Sequence, residues 1–158
     1  MNASGITLLV TDQGWRKARG LTPKLKRAAL AALAVCKFRG ASSLTLLLSS
    51  DRHLKSLNRD FRGKDKPTNV LSFPAAANGA GYRGDVALAY ATTRREAKAA
   101  GKDFADHAAH LVVHGVLHLA GYDHVRGKDA KVMEPLETRI LAGMGIADPY
   151  AEPKARAR

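Results

Sequence analysis

The chain has 158 residues, 46% hydrophobic and 25% charged, a mix that suits one buried core and excludes a fibrous or intrinsically disordered protein. A formal net charge of +12, from 26 basic against 14 acidic residues, favours polyanionic partners, chiefly nucleic acid, through phosphate neutralisation. A lone cysteine, Cys36, excludes an intrachain disulfide, and the apolar run near the start is too short for export or membrane spanning, so the cytoplasm is the expected compartment.

Gly5 to Thr11 reads as a short apolar strand. From Trp15 to Phe38 the apolar positions recur at helical spacing, and Pro23 is expected to break or restart that helix near Thr22. Leu44 to Leu48 is a continuous apolar run suited to a central strand. Asp51 is the expected cap of a helix carrying Leu54, Leu57 and Phe61. A polar, breaker-rich loop from Arg62 to Asn69 leads into a strand, Val70 to Pro74, and small residues from Ala75 to Arg83 read as a mobile loop. Asp85 to Tyr90 reads as a fourth strand, and about Thr92 to Ala100 as a helix stopped by Gly101. Asp103 can cap a helix from Phe104 to Ala120 that is apolar nearly all round, hence buried. A last helix spans about Asp129 to Ala142, and order is expected to fade from Asp148. This order predicts an α+β fold: a single domain over residues 1–150 with a small four-stranded mixed sheet packed by helices, and a basic tail at 151–158.

The buried helix carries the chemistry. His114 and His118 lie four residues apart, about 40° around the helix axis and roughly 6 Å along it, so both imidazoles can reach one ion. Gly121 permits a positive φ, and the turn there can return His124 to the same ion. Three histidines leave a tetrahedral Zn²⁺, one per chain, a position for water, as in catalytic zinc sites. The spacing parallels the zinc-peptidase pattern H-E-x-x-H-x-x-G-x-x-H, but Gly115 stands where that pattern has its general base. Peptide hydrolysis is thereby disfavoured, while a metal-activated water and Lewis acid remain available. His110, one turn earlier, is expected to hydrogen-bond the ligands or shuttle protons, with Asp85 as another outer partner; His107 reads as a surface or linker residue. In the polar loop, Arg62 suits bidentate phosphate contact, and Lys64 and Lys66 act as point charges on an RNA backbone.

Several segments closely resemble the bacterial YbeY family of rRNA maturation factors. They are the run from Phe61 through Arg62-Gly63-Lys64-Asp65-Lys66-Pro67-Thr68-Asn69 to Pro74, then Gly84-Asp85-Val86, then His114 to His124. Met133-Glu134, Leu136-Glu137 and Asp148-Pro149-Tyr150 resemble its last helix and exit. The Gly-rich stretch 75–83 and the basic tail depart from it. The resemblance implies a metal-dependent endoribonuclease specific for single-stranded RNA, acting in 16S rRNA 3′-end maturation and ribosome quality control on the small subunit. It implies His114, His118 and His124 as zinc ligands and Arg62 as the functional arginine. On this reading Arg62 and His114 are the catalytic residues. Two alternatives stand beside it: a zinc peptidase or amide hydrolase whose carboxylate is Glu134 or Asp85, and a non-catalytic ribosome assembly factor with structural zinc. Oligomeric state is not legible.

Overall fold

The structure is a computed structural model that describes residues 5–36, 38–76, 79–122 and 127–151, with the backbone alone for 127–130. Four strands form one sheet in the order β1-β2-β4-β3: β1 (Gly5–Val10), β2 (Ser43–Ser49), β3 (Val70–Pro74) and β4 (Tyr82–Ala89). β1, β2 and β4 run parallel, and β3 pairs antiparallel with β4. Parallel neighbours require crossovers. The first is made by α1 (Gly14–Lys17) and α2 (Leu21–Val35), the second by α3 (Asp51–Arg62) and β3. Three helices follow: α4 (Tyr90–Ala100), α5 (Phe104–Leu119) and α6 (Gly127–Ala142). The α+β class and the four-stranded mixed sheet are as the sequence implies.

Side-chain alternation divides the sheet into two faces. Leu44, Leu46, Leu48, Val86 and Leu88 face α2 and α5 and form the main core with Val112, Val113, Val116 and Leu117. Leu71, Ala87 and Ala89 face the other way, against Leu54 of α3. α5 packs on α2, α4, α6, β3 and β4, which explains why it is apolar nearly all round. Its start is as expected, with the Asp103 carboxylate accepting from Asp106 N at 3.1 Å.

Local differences have physical causes. The helical stretch is interrupted after Lys17 and restarts at Leu21, one residue before Thr22, with Gly20 at φ +76° as the turn. Pro23 falls in the first turn of α2, where its missing N–H has no helical partner to lose. Ser50, not Asp51, caps α3, its hydroxyl accepting from His53 N at 3.1 Å. Asp51 instead caps α4: its carboxylate accepts from Thr92 N at 2.9 Å and from Thr92 Oγ1 at 2.7 Å. Burial pushes the Asp51 carboxyl pKa up, but the Thr92 hydrogen bonds and the Arg95 guanidinium outweigh it and hold it below the usual value. Order persists past Asp148, because Lys102 Nζ donates to Pro149 O at 2.8 Å and Tyr150 packs its ring against His110. β4 starts at Tyr82, so the small-residue loop is shorter than expected; residues 77–78 and 152–158 lie outside the described residues.

Candidate active site

His107, His110, His114 and His118 form a row along α5, facing a cleft of about 1530 Å³. The organising group is a carboxylate from another helix. Glu137, in α6, is fully buried, and it receives His114 Nδ1 at 2.7 Å on one oxygen and His110 Nε2 at 2.7 Å on the other. The Tyr150 hydroxyl also donates to it. Burial pushes the Glu137 carboxyl up, but hydrogen bonds from His110, His114 and Tyr150, aided by the His114 charge, bring it down to about 2. Burial and the same hydrogen bond push the Tyr150 phenol well above its usual range.

An ionised carboxylate only accepts, so each nitrogen facing it carries its proton. His114 is thereby fixed as the Nδ1–H form, and its Nε2 points to His118 Nε2 at 3.0 Å. Two nitrogens so close, on rings 4.6 Å apart between centroids, suit ligation of one cation, since tetrahedral zinc at ~2.0–2.1 Å sets its nitrogens roughly 3.3 Å apart. The carboxylate behind His114 is the usual support of a metal-binding imidazole. Among the described residues no group of three His, Cys, Asp or Glu is assembled to hold an ion. The expected third ligand, His124, lies outside the described residues. Gly121 does turn the chain at φ +95°, as the route to His124 requires.

His110 Nε2 is taken up by the same carboxylate that holds His114. His107 is not a surface residue: only 12% of its side chain is exposed, and its Nε2 meets Glu96 Oε1 at 3.0 Å. Glu96 also accepts from Asn69 Nδ2 at 3.0 Å, so the polar loop is tied to the histidine helix. Asp85 makes its side-chain contact within the sheet. It pairs across the sheet with Phe73, on the face away from α5, and accepts a hydrogen bond from the Tyr82 hydroxyl. It still lines the same cleft as His110, His114 and His118.

Gly115 has a packing role. A Cβ there would lie 2.5 Å from Val86 Cγ1 and 3.1 Å from Ser72 Oγ, and Ser72 Oγ donates to Gly115 O at 2.8 Å. The helix is pressed onto the sheet at the position where a peptidase carries its base, with no space for a carboxylate. Arg62 ends α3 on the exposed rim, lines the same cleft as the histidines and has no ion pair among the described residues. Lys64 and Lys66 are exposed on the adjoining loop, outside the cleft lining.

The family described as Endoribonuclease YbeY matches residues 13–145. The chain belongs to the YbeY family. Relatives named Endoribonuclease YbeY include one from Rhodopseudomonas palustris strain HaA2, 47% identical over 92% of this chain and 80% of its own. Another, from Maricaulis maris, is 43% identical over 95% of this chain and 92% of its own. The solution structure of TM1509 from Thermotoga maritima superposes with a TM-score of 0.60 at 26% identity, covering 97% of this chain and 99% of that one. YbeY membership makes the protein an RNA-cleaving hydrolase by class. No helix among the described residues is long and apolar enough to cross a membrane.

Within this YbeY chain, sequence reasoning missed Glu137 as a site residue. Its signal was present: Met133, Glu137, Ile140 and Leu141 form one buried stripe of α6, and a carboxylate on such a stripe requires partners. Tyr150 carried no comparable signal, because it reaches the site from an exposed turn.

Proposed function

We propose that the protein is a zinc-dependent endoribonuclease specific for single-stranded RNA, acting in 16S rRNA 3′-end maturation and in ribosome quality control. The observation that carries the metal reading is the Glu137–His114–His118 relay, in which a buried carboxylate fixes the tautomer of one imidazole and directs its second nitrogen at another. His114 and His118, with His124, would hold Zn²⁺, which supplies Lewis acidity and a water acidified to a pKa of about 7.

The chain's own residues do the rest. Glu137 keeps His114 oriented and holds protons on His114 Nδ1 and His110 Nε2. Arg62 meets the phosphate from the rim of the cleft and stabilises charge developing on its oxygens. Lys64 and Lys66 attract the strand by its backbone. The packing of Gly115 on Val86 weighs against a peptidase, since no carboxylate can stand next to the first ligand. The small ribosomal subunit is the proposed partner and the cytoplasm the proposed compartment.

Elemental analysis combined with cleavage of a single-stranded RNA, wild type against His114→Ala and His118→Ala, tests this. The wild type is expected to hold one zinc and cut; both variants lose zinc and cutting together. Cleavage by metal-free His114→Ala protein would overturn the role of the metal. Zinc without turnover in the wild type would favour a non-catalytic assembly factor.

A further inference from the structure

Phe61 is a large apolar side chain that stays mostly exposed. It occupies the last turn of α3, directly before Arg62, and 70% of its surface is exposed. Its only ring contact among the described residues is an edge-to-face one with Phe73, centroids 5.5 Å apart and planes at 68°. That contact fixes the ring from one side and leaves a face available. Leu54, two turns earlier on the same helix, is fully buried and docks α3 on the sheet together with Leu57. Phe61 therefore forgoes most of the burial that would account for a phenylalanine.

Its surroundings specify what would cover it. Phe61, Phe73, Leu57 and Leu9 line the cleft that also holds Arg62 and the histidines, and Leu9 is itself 51% exposed. At about 1530 Å³ the cleft exceeds the roughly 300–1,000 Å³ of small-molecule pockets, so it suits a polymer. The rim at Phe61 is basic, from Arg62 to Lys64 and Lys66, and the whole chain carries +12. An exposed ring beside unpaired cations is the arrangement by which proteins hold single strands: cations take the backbone, and the ring takes a base.

We infer that Phe61 is a base-stacking subsite for single-stranded RNA, gripping a nucleobase next to the phosphate that Arg62 meets. The inference rests on the nuclease reading and deepens it by naming what the cleft holds besides phosphate. It also supplies a reason for single-strand preference, because a base paired in a duplex does not offer its face to the ring.

The test uses zinc-loaded full-length protein and a short single-stranded oligoribonucleotide carrying 2-aminopurine, whose fluorescence falls when it stacks, read by stopped flow before turnover. Wild type and Phe61→Trp are expected to quench it. Phe61→Ala and Phe61→Leu are expected to lose the quench and to bind about 5- to 150-fold more weakly, as for other base–aromatic stacks. Their losses should appear in KM more than in kcat, with melting temperature and the salt dependence of binding unchanged, since no phosphate contact is removed. Full affinity and quench in Phe61→Leu would overturn stacking. RNA affinity unchanged in both variants would likewise overturn it and leave the ring to a protein partner. A wild-type protein that neither binds nor cuts RNA sinks the nuclease reading itself, a result distinguishable from loss confined to the Phe61 variants.

Discussion

Replacing Glu137 with glutamine is the most direct probe of the site, since one buried group joins three partners. The amide keeps one acceptor oxygen and puts an NH₂ where the other stood, facing a ring N–H of His110 or His114, both 2.7 Å from the carboxylate. One buried donor is left unsatisfied, at ~1–3 kcal/mol, and the remaining contacts lose their charge assistance. About 3 kcal/mol is the expected total, below the ~3–5 kcal/mol found when one partner of a buried ion pair is removed outright. For a chain of this size that corresponds to a melting temperature lower by roughly 6–12 °C. The measurement is thermal unfolding with chelator present, which isolates the clamp from any metal. Zinc affinity, read by competition with a chromophoric chelator, should fall a further ~10–100-fold because His114 loses its orienting partner. A chelated Glu137→Gln protein melting within about 2 °C of wild type would refute the clamp, and unchanged zinc affinity would refute its role toward the ligand.

Gly115→Ala should destabilise by about 1–3 kcal/mol, as its methyl meets Val86 and Ser72, and a melting curve coincident with wild type would contradict the close packing. Asp51→Asn should cost about 1 kcal/mol by weakening the α4 cap. Because the folded-state pKa of Asp51 is lowered, that contribution is present above the ordinary carboxylate pKa near 4 and is lost as pH falls through the depressed value. Urea unfolding of both proteins across that range should therefore show the gap closing in acid. Burial pushes the Cys36 thiol up to about 11, so iodoacetamide at neutral pH should label it only after unfolding; rapid labelling of the native protein would show the site open. Arg62→Glu should slow RNA cleavage while zinc stays bound, measured by turnover and elemental analysis on the same sample; loss of zinc would mean Arg62 supports the fold.

Elements whose signal is local were legible in the sequence. The strands at Leu44–Leu48 and Val70–Pro74, the Asp103 cap and the stops at Gly101 and Gly121 depend on neighbours within a few residues, and all stand where periodicity and turn chemistry put them. What escaped depends on partners far along the chain. Asp51 looks like a cap for its own helix, yet its partner is Thr92, 41 residues on. Asp85 is expected as an outer partner of the histidines; it lines their cleft, but period-two alternation in β4 puts it on the face of Phe73, where it accepts from the Tyr82 hydroxyl. Glu137 shows in the sequence only as a carboxylate on the apolar stripe of α6, and its partners appear once α6 lies against α5; Tyr150 is placed only when the exit turn is pinned by Lys102.

The clamp also sets an order of assembly during synthesis. The histidines of α5 leave the ribosome ahead of Glu137, and Tyr150 follows later still. A nascent chain therefore carries α5 imidazoles that the Glu137 carboxylate does not yet orient. The carboxylate that holds His110 and His114, and the phenol that donates to it, are thus among the later parts of the site to be made.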